Sequence, residues 1–334
     1  MTRIAILGAG SWGTALAMVV SRSPRDHEIC LWARDAALAE SIRSSRENRA
    51  YLPGHKIPAQ VHVTHEIGEA LAGATLVCGA VPAAFARAVY SLATRHLPAN
   101  AVIVSATKGL EPATHQRISE VIAETVPQSL STRIAVLSGP SFAAEAAAGQ
   151  PTAVVIAARD AGLAAQVQEE LAAQAFRLYT NEDVVGVELA GATKNVIAIA
   201  AGVCQGLGLG SNALAALITR GLAEISRLVA ALGGRSETLS GLAGLGDLVL
   251  TCNGSLSRNR QLGIELAQGR ALDAIVGGMR MVAEGVGTAP ALLALAAEAR
   301  VELPITEQVE AILHRGKAPS EAIREILERP LKRE

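Results

Sequence analysis

The chain has 334 residues, 50% of them hydrophobic, and a formal net charge of −1 at pH 7. That length allows two domains, or one large one, with a sizeable core, and the apolar fraction excludes disorder. Near-neutral charge and only 2% aromatic residues exclude both a basic nucleic-acid footprint and a surface for stacking single-stranded bases.

The first predicted element is a short apolar strand at 4–7, running into Gly8-x-Gly10-x-x-Gly13 and an Ala/Leu/Met/Val-rich helix. This order is a dinucleotide fingerprint. Gly8 permits the tight turn, Gly10 lets the backbone approach a pyrophosphate, and Gly13 lets the helix pack close on the sheet. The helix N-terminus offers unpaired N–H groups and a partial positive charge to phosphates. A secretory signal peptide is the competing reading of the same stretch, but three glycines interrupt its apolar run. No uninterrupted apolar stretch reaches the roughly 18 residues of a membrane span. A cytoplasmic chain without a membrane span is expected.

Further strands are predicted at 28–32, 75–81, 101–106, 134–138, 153–157 and 176–180, with helices between them at 36–44, 83–96 and 115–125. Alternating β and α elements imply a Rossmann-type, doubly wound α/β half with a mostly parallel sheet. Its functional residues should cluster at the carboxyl ends of the strands. Beyond Asn181 the strand signal stops, and helices are predicted at 184–204, 213–232, 260–267, 289–299 and 305–313. Pro319-Ser320-Glu321 opens a last amphipathic helix. The expected domains are a dinucleotide-binding domain over 1–182 and an all-α substrate domain over 183–334, with a ligand cleft between them. The helix at 184–204 is apolar on nearly every side and belongs in the middle of the helical half.

Cys30, Cys78, Cys204 and Cys252 form no C-x-x-C pair and read as free, buried thiols. His62 and His65 lie close in sequence but lack further ligand spacing, so no metal site is expected.

Three polar segments interrupt apolar surroundings. Lys108 follows a buried strand at the edge where substrates bind, in Ser105-Ala-Thr-Lys108-Gly109. Lys194 and Asn195 lie within the most apolar helix, where an ammonium group is costly unless paired or facing a polar cavity. A lysine so placed has its pKa lowered, which suits a proton donor near neutral pH. Glu188, Gly191 and Asn195 share roughly one face of that helix, with Lys194 beside it. Finally, Asp247 stands alone after Gly244-Leu-Gly246, and the polar loop Ser255–Arg260 carries Arg258 and Asn259. An arginine offers the planar fork that clamps a phosphate.

Six segments together carry a family resemblance: Gly8-Ala-Gly-Ser-Trp-Gly13, Ala106-Thr-Lys-Gly109, Ser138-Gly-Pro-Ser-Phe-Ala143, Gly191-Ala-Thr-Lys-Asn195, Gly244-Leu-Gly-Asp247 and Ser257-Arg-Asn259. In order and spacing, up to Val282-Ala-Glu-Gly285, the chain resembles the bacterial-type NAD(P)-dependent glycerol-3-phosphate dehydrogenases. The resemblance implies reversible reduction of dihydroxyacetone phosphate to sn-glycerol 3-phosphate, the backbone of phospholipids. It implies Lys194 as the catalytic proton donor, with Lys108, Gly139, Ser141, Asp247, Ser257, Arg258 and Asn259 at the substrate. Gly8, Gly10, Ser11, Trp12, Gly13, Arg34, Lys108, Ala143, Arg258, Val282 and Glu284 match positions at the dinucleotide.

NADP(H) and NAD(H) are both expected as cofactors. At the end of the second strand Arg34 and Asp35 stand side by side; an acid there favours the ribose hydroxyl and an arginine the 2′-phosphate. The match of Arg34 points to NADPH, with NADH tolerated. A β-hydroxyacid or 6-phosphogluconate type dehydrogenase would account for Lys194-Asn195 but not for Lys108-Gly109 together with Ser257-Arg-Asn259. A non-catalytic NAD(P)H redox sensor would need no placed proton donor. A small-molecule substrate is expected, without nucleic acid, and the apolar helical half suits a homodimer.

Overall fold

A computed structural model describes residues 2–279 and 281–330. Its ten strands are β1 (Thr2–Leu7), β2 (His27–Trp32), β3 (Glu47–Asn48), β4 (Leu52–Lys56), β5 (Val61–Thr64), β6 (Leu76–Gly79), β7 (Val102–Ser105), β8 (Ile134–Ser138), β9 (Thr152–Ala158) and β10 (Phe176–Asn181). Eight of them form one sheet in the order β10-β9-β8-β7-β6-β1-β2-β5, and β3 and β4 form a separate antiparallel pair. Neighbours in the large sheet run parallel except β8 and β9.

Each strand expected from the sequence forms, with ends shifted by no more than two residues. The three short strands β3, β4 and β5 were not expected. They sit at or beyond the sheet edge, and β4 contains Pro53 and Gly54, which depress strand propensity.

Helices α1 (Ser11–Val20), α2 (Ala36–Ser45), α3 (Ile67–Leu71) and α4 (Ala86–Thr94) accompany the first strands. Next come α5 (Ile118–Thr125), α6 (Gln128–Ser131), α7 (Ala143–Ala147) and α8 (Ala161–Leu171). The sheet alternates its side chains between two cores, as a period of two requires. Ile4 and Ile6 of β1 pack on one face with Leu16 of α1, while Ala5 and Leu7 face Tyr90 and Ile103 on the other. Each fully buried Leu or Ile contributes about 1.5–3 kcal/mol relative to exposure.

After β10 the chain is helical: α9 (Val184–Gly206), α10 (Ser211–Ala231), α11 (Asp247–Asn253), α12 (Arg258–Ala267), α13 (Leu272–Gly278), α14 (Glu284–Ala299), α15 (Pro304–His314) and α16 (Pro319–Leu327). A π-turn at Leu242–Gly246 leads into α11. By length and composition α9 could cross a membrane, but 94% of its most apolar window is buried inside the protein. It is the central helix around which the second core forms. Val184 and Val187 of α9, with Ala243, pack on Val136, Val155 and Ala157, fastening the helical half to β8 and β9.

The strand order reverses between β1 and β6, so their carboxyl ends open a crevice of the kind that receives ligands in doubly wound sheets. The loops after β7 and β8 extend the same edge towards α9.

Candidate functional site

The crevice begins at the glycine turn. Gly8 has φ +109°, and a Cβ there would fall 2.7 Å from the Ala80 carbonyl oxygen. At Gly13 a Cβ would fall 1.9 Å from the Gly8 oxygen, so α1 lies against the turn. At Gly10, by contrast, a Cβ would meet nothing within 4 Å. Two of the three glycines thus serve internal packing, and the third faces open space of the kind a pyrophosphate fills.

Gly10 caps α1 without a side chain, leaving first-turn N–H groups to a ligand. Trp12 Nε1 is buried there and has no partner among the described residues. Ser11 Oγ donates to the Tyr51 carbonyl at 2.6 Å, tying the start of α1 to the segment before β4. These features fit a dinucleotide.

After β2, Asp35 caps α2, accepting from Ala37 N at 2.8 Å. Arg34 is exposed, with its guanidinium 5.4 Å from the centroid of the Phe85 ring, held by cation–π attraction. Of the two neighbouring residues, the acid serves the helix and the arginine faces outward. Ala143 opens α7 and packs, half-buried, against the core beneath α1.

Three chain segments converge on one carboxylate. Lys108, after β7, donates from Nζ to Asp247 Oδ2 at 2.7 Å and to the Gly139 carbonyl at 2.7 Å. Gly139, after β8, adopts φ +129°, and Ser141 Oγ donates to the same carbonyl at 2.9 Å. From α9, Lys194 Nζ donates to Asp247 Oδ1 at 2.5 Å and to Thr251 Oγ1 at 2.9 Å. The Asp247 side chain is 1% exposed and that of Lys194 8%.

Two ammonium groups therefore share one buried carboxylate, which leaves the pocket short of negative charge. Burial pushes Lys194 down to about 7; Asp247 opposes that shift and the charge of Lys108 adds to it. An amine that gains and loses a proton near neutrality, beside a fixed second cation, can protonate a carbonyl oxygen and hold an anionic substrate.

Asp247 is neither a helix cap nor a surface residue. The π-turn presents it at the first position of α11, facing α9. Thr251, to which no sequence motif assigns a role, lies four residues on and so on the same helix face. Its hydroxyl donates to the Asp247 carbonyl at 2.6 Å while receiving Lys194. The i, i+4 spacing from Asp247 was the available signal.

Arg258 and Asn259, expected in a loop, lie in the first turn of α12, which Ser257 caps by accepting from Arg260 N at 3.3 Å. Their backbone N–H groups are the unpaired ones of a helix start. Asn259 directs its side chain inward: Nδ2 donates to Asn195 Oδ1 at 3.0 Å, and Oδ1 accepts from Gly285 N at 3.0 Å. The amide therefore locks α9, α12 and α14 together, and the backbone is the part of Asn259 left for a ligand. Arg258 Nη1 donates to the carbonyl of Val282, itself 46% exposed, at 2.8 Å. Glu284 opens α14 and accepts from Ala83 N at 3.3 Å; burial raises its carboxyl to about 7, with that N–H and Arg258 opposing. It thus ties the helical half to the segment after β6.

Other expectations resolve simply. The four cysteines are buried. His62 Nε2 contacts Glu69 Oε1 at 2.9 Å. Glu188 sits apart from Lys194 and binds Arg117 and Ser119 instead.

The chain is similar along nearly its whole length to proteins of one family. The family model described as NAD-dependent glycerol-3-phosphate dehydrogenase N-terminus matches residues 3–164, and the corresponding C-terminus model matches residues 183–324. A protein of Koribacter versatilis named glycerol-3-phosphate dehydrogenase [NAD(P)+] is 54% identical over 99% of this chain and 98% of its own length. One of the same name from Acidobacterium capsulatum is 50% identical over 99% of both chains. The crystal structure of glycerol-3-phosphate dehydrogenase from Coxiella burnetii superposes with a TM-score of 0.92 at 41% identity, covering 98% of this chain and 99% of that one.

Proposed function

The chain belongs to the NAD-dependent glycerol-3-phosphate dehydrogenase family and acts as an NAD(P)-dependent oxidoreductase on glycerol 3-phosphate; on that premise we propose how its residues divide the work. Lys194 is the proton donor to the carbonyl oxygen of dihydroxyacetone phosphate and, in reverse, the base that accepts the hydroxyl proton. The observation that carries this reading is the convergence of Lys108 from the sheet half and of Lys194 with Asp247 from the helical half. Bound NAD(P)H would supply the hydride to the keto carbon. Asp247 orients both ammonium groups, and Thr251 fixes the rotamer of Lys194. Gly139 and Ser141 hold Lys108 at the rim of the pocket.

The substrate phosphate belongs at the start of α12, against the N–H groups of Arg258 and Asn259, with the Arg258 guanidinium beside it. A helix N-terminus capped by Ser257 favours such an anion through its unpaired donors and its dipole. Arg258→Ala is expected to raise KM for dihydroxyacetone phosphate by about 10–100-fold, the worth of one or two charge-assisted hydrogen bonds. An unchanged KM in NADPH-oxidation assays at 340 nm would place the phosphate elsewhere.

The dinucleotide would be held along Gly8, Gly10, Ser11, Trp12 and Gly13, with Arg34 placed for a 2′-phosphate and NADPH as the preferred form. The capping role of Asp35 supports this, because its carboxylate is turned to α2. Arg34→Ala should cut the NADPH/NADH ratio of kcat/KM by about 10–100-fold, chiefly through the NADPH value. A ratio that stayed put would remove Arg34 from cofactor choice. We further propose a cytoplasmic homodimer whose product enters phospholipid synthesis. The half-buried Leu214, Leu217, Ile218 and Leu222 along α10 favour self-association.

A further inference from the structure

The loop bearing Lys108 and the helix bearing Lys194 meet a second time, away from the reacting groups. Glu188 lies on α9, six residues before Lys194, which is about 9 Å along a helix. Its Oε1 accepts from Ser119 N at 2.8 Å, and its Oε2 accepts from Ser119 Oγ at 2.5 Å and from Arg117 Nη1 at 2.8 Å. The Glu188 side chain is 3% exposed and that of Arg117 12%. A carboxyl group of the helical half thus seats itself in the first turn of α5, in the sheet half, beside an arginine that it shares with Glu120; burial raises it, and Arg117 and Ser119 oppose that shift.

Arg117 is also the far end of the loop that begins at Lys108. An isolated antiparallel bridge pairs Leu110 with Arg117, and Glu111 N donates to the Gln116 carbonyl at 2.9 Å. Leu110, two residues after Lys108, is 1% exposed and belongs to the hydrophobic core of the helical half. Between Glu188 and Lys194, α9 has no slack. A Cβ at Gly191 would lie 2.8 Å from Ser138 Oγ and 3.6 Å from Lys108 Cγ. The helix therefore rests directly on the end of β8 and on the stem of Lys108.

We propose that Glu188 is a positioning residue: by gripping Arg117 and Ser119 it fixes the spacing between the Lys108 loop and α9, and so places Lys194 against the substrate carbonyl. It touches neither substrate nor cofactor, and the proposal rests on Lys194 being the proton donor. Reacting groups must be held within a few tenths of an ångström, and a shift of about 1 Å can lower the rate about 10²-fold. A glutamine at 188 has the same shape but no charge for Arg117, and it presents an NH2 group towards donors.

The test is a double-mutant cycle with Glu188→Gln and Lys194→Ala, assayed well below each variant's melting temperature, alongside NADPH Kd from fluorescence titration. In the wild-type background Glu188→Gln should lower kcat at least about tenfold and leave NADPH Kd within about twofold. In the Lys194→Ala background the same substitution should change kcat less than about twofold, because the group it positions is gone. A kcat for Glu188→Gln within twofold of wild type, or an undiminished further loss on top of Lys194→Ala, overturns the proposal. Full activity in Lys194→Ala alone overturns instead the reading on which it rests. If Glu188→Gln does not fold, Ser119→Ala takes its place in the cycle. It removes one hydroxyl contact and should lower kcat about two- to tenfold, again only when Lys194 is present; an unchanged kcat counts against the proposal.

Discussion

Lys194→Ala is expected to lower kcat for dihydroxyacetone phosphate reduction by about 10²–10⁴-fold, the usual worth of a positioned general acid. The expectation follows from where the lysine stands. Its ammonium group is buried in the central helix, pushed down to about 7, and held by Asp247 and Thr251. An ordinary surface lysine near 10.4 would be a poor acid at neutral pH; this one is matched to the task. Lys108 remains in the variant, so substrate binding should persist and the loss should fall on kcat. A variant with normal kcat and a raised KM would make Lys194 a binding residue instead.

Asp247→Asn is expected to harm both stability and turnover. Among the described residues the carboxylate is the one acid that both Lys108 and Lys194 contact, and removing it leaves two cations facing each other in a cavity with little access to water. Breaking a buried ion pair from one side costs about 3–5 kcal/mol. In part the protein escapes that cost by releasing a proton, since an unpaired buried ammonium neutralises. The pH dependence follows in sign. Lys194 already titrates at about 7, and Asp247 is what raises it, so the substitution lowers it further. Below pH 7 the folded wild type binds a proton on Lys194 as an ammonium paired with Asp247, whereas the variant's amine takes one up only in more acidic solution. Above 7 Lys194 is neutral in both. The difference in melting temperature should therefore be largest in mildly acidic buffer and shrink as pH rises through about 7. At neutral pH the variant also holds less of the acid form, and kcat should fall at least about 10²-fold. Equal melting temperatures at pH 6, with turnover intact, would contradict the role given to Asp247.

The sequence showed the glycine turn most plainly because everything it needs is local: a strand, three glycines at fixed spacing and a helix within the first twenty residues. The halves were legible for a similar reason, as β/α alternation ends at β10. Lys108, Lys194 and Asp247 could be singled out as polar interruptions of apolar segments. Their meeting at one carboxylate could not, since 139 residues separate Lys108 from Asp247. Helical periodicity grouped Glu188 with Asn195, but only tertiary packing shows Glu188 turned to Arg117. Asn259 carried a donor of the right type, yet its amide is engaged by Asn195 and Gly285. Strands β3 to β5 are hard to read from sequence because β3 has two residues, β4 carries Pro53 and Gly54, and β5 is four residues long with His62 and Thr64 breaking its apolar run.

If Lys194 moves the proton, kcat must depend on pH with opposite sign in the two directions. Dihydroxyacetone phosphate reduction needs the ammonium form and should lose rate as pH rises through about 7; glycerol 3-phosphate oxidation needs the free amine and should gain rate over the same range. Both limbs should vanish in Lys194→Ala. Limbs of equal sign in the two directions, or a profile that Lys194→Ala leaves unchanged, would mean that another group carries the proton.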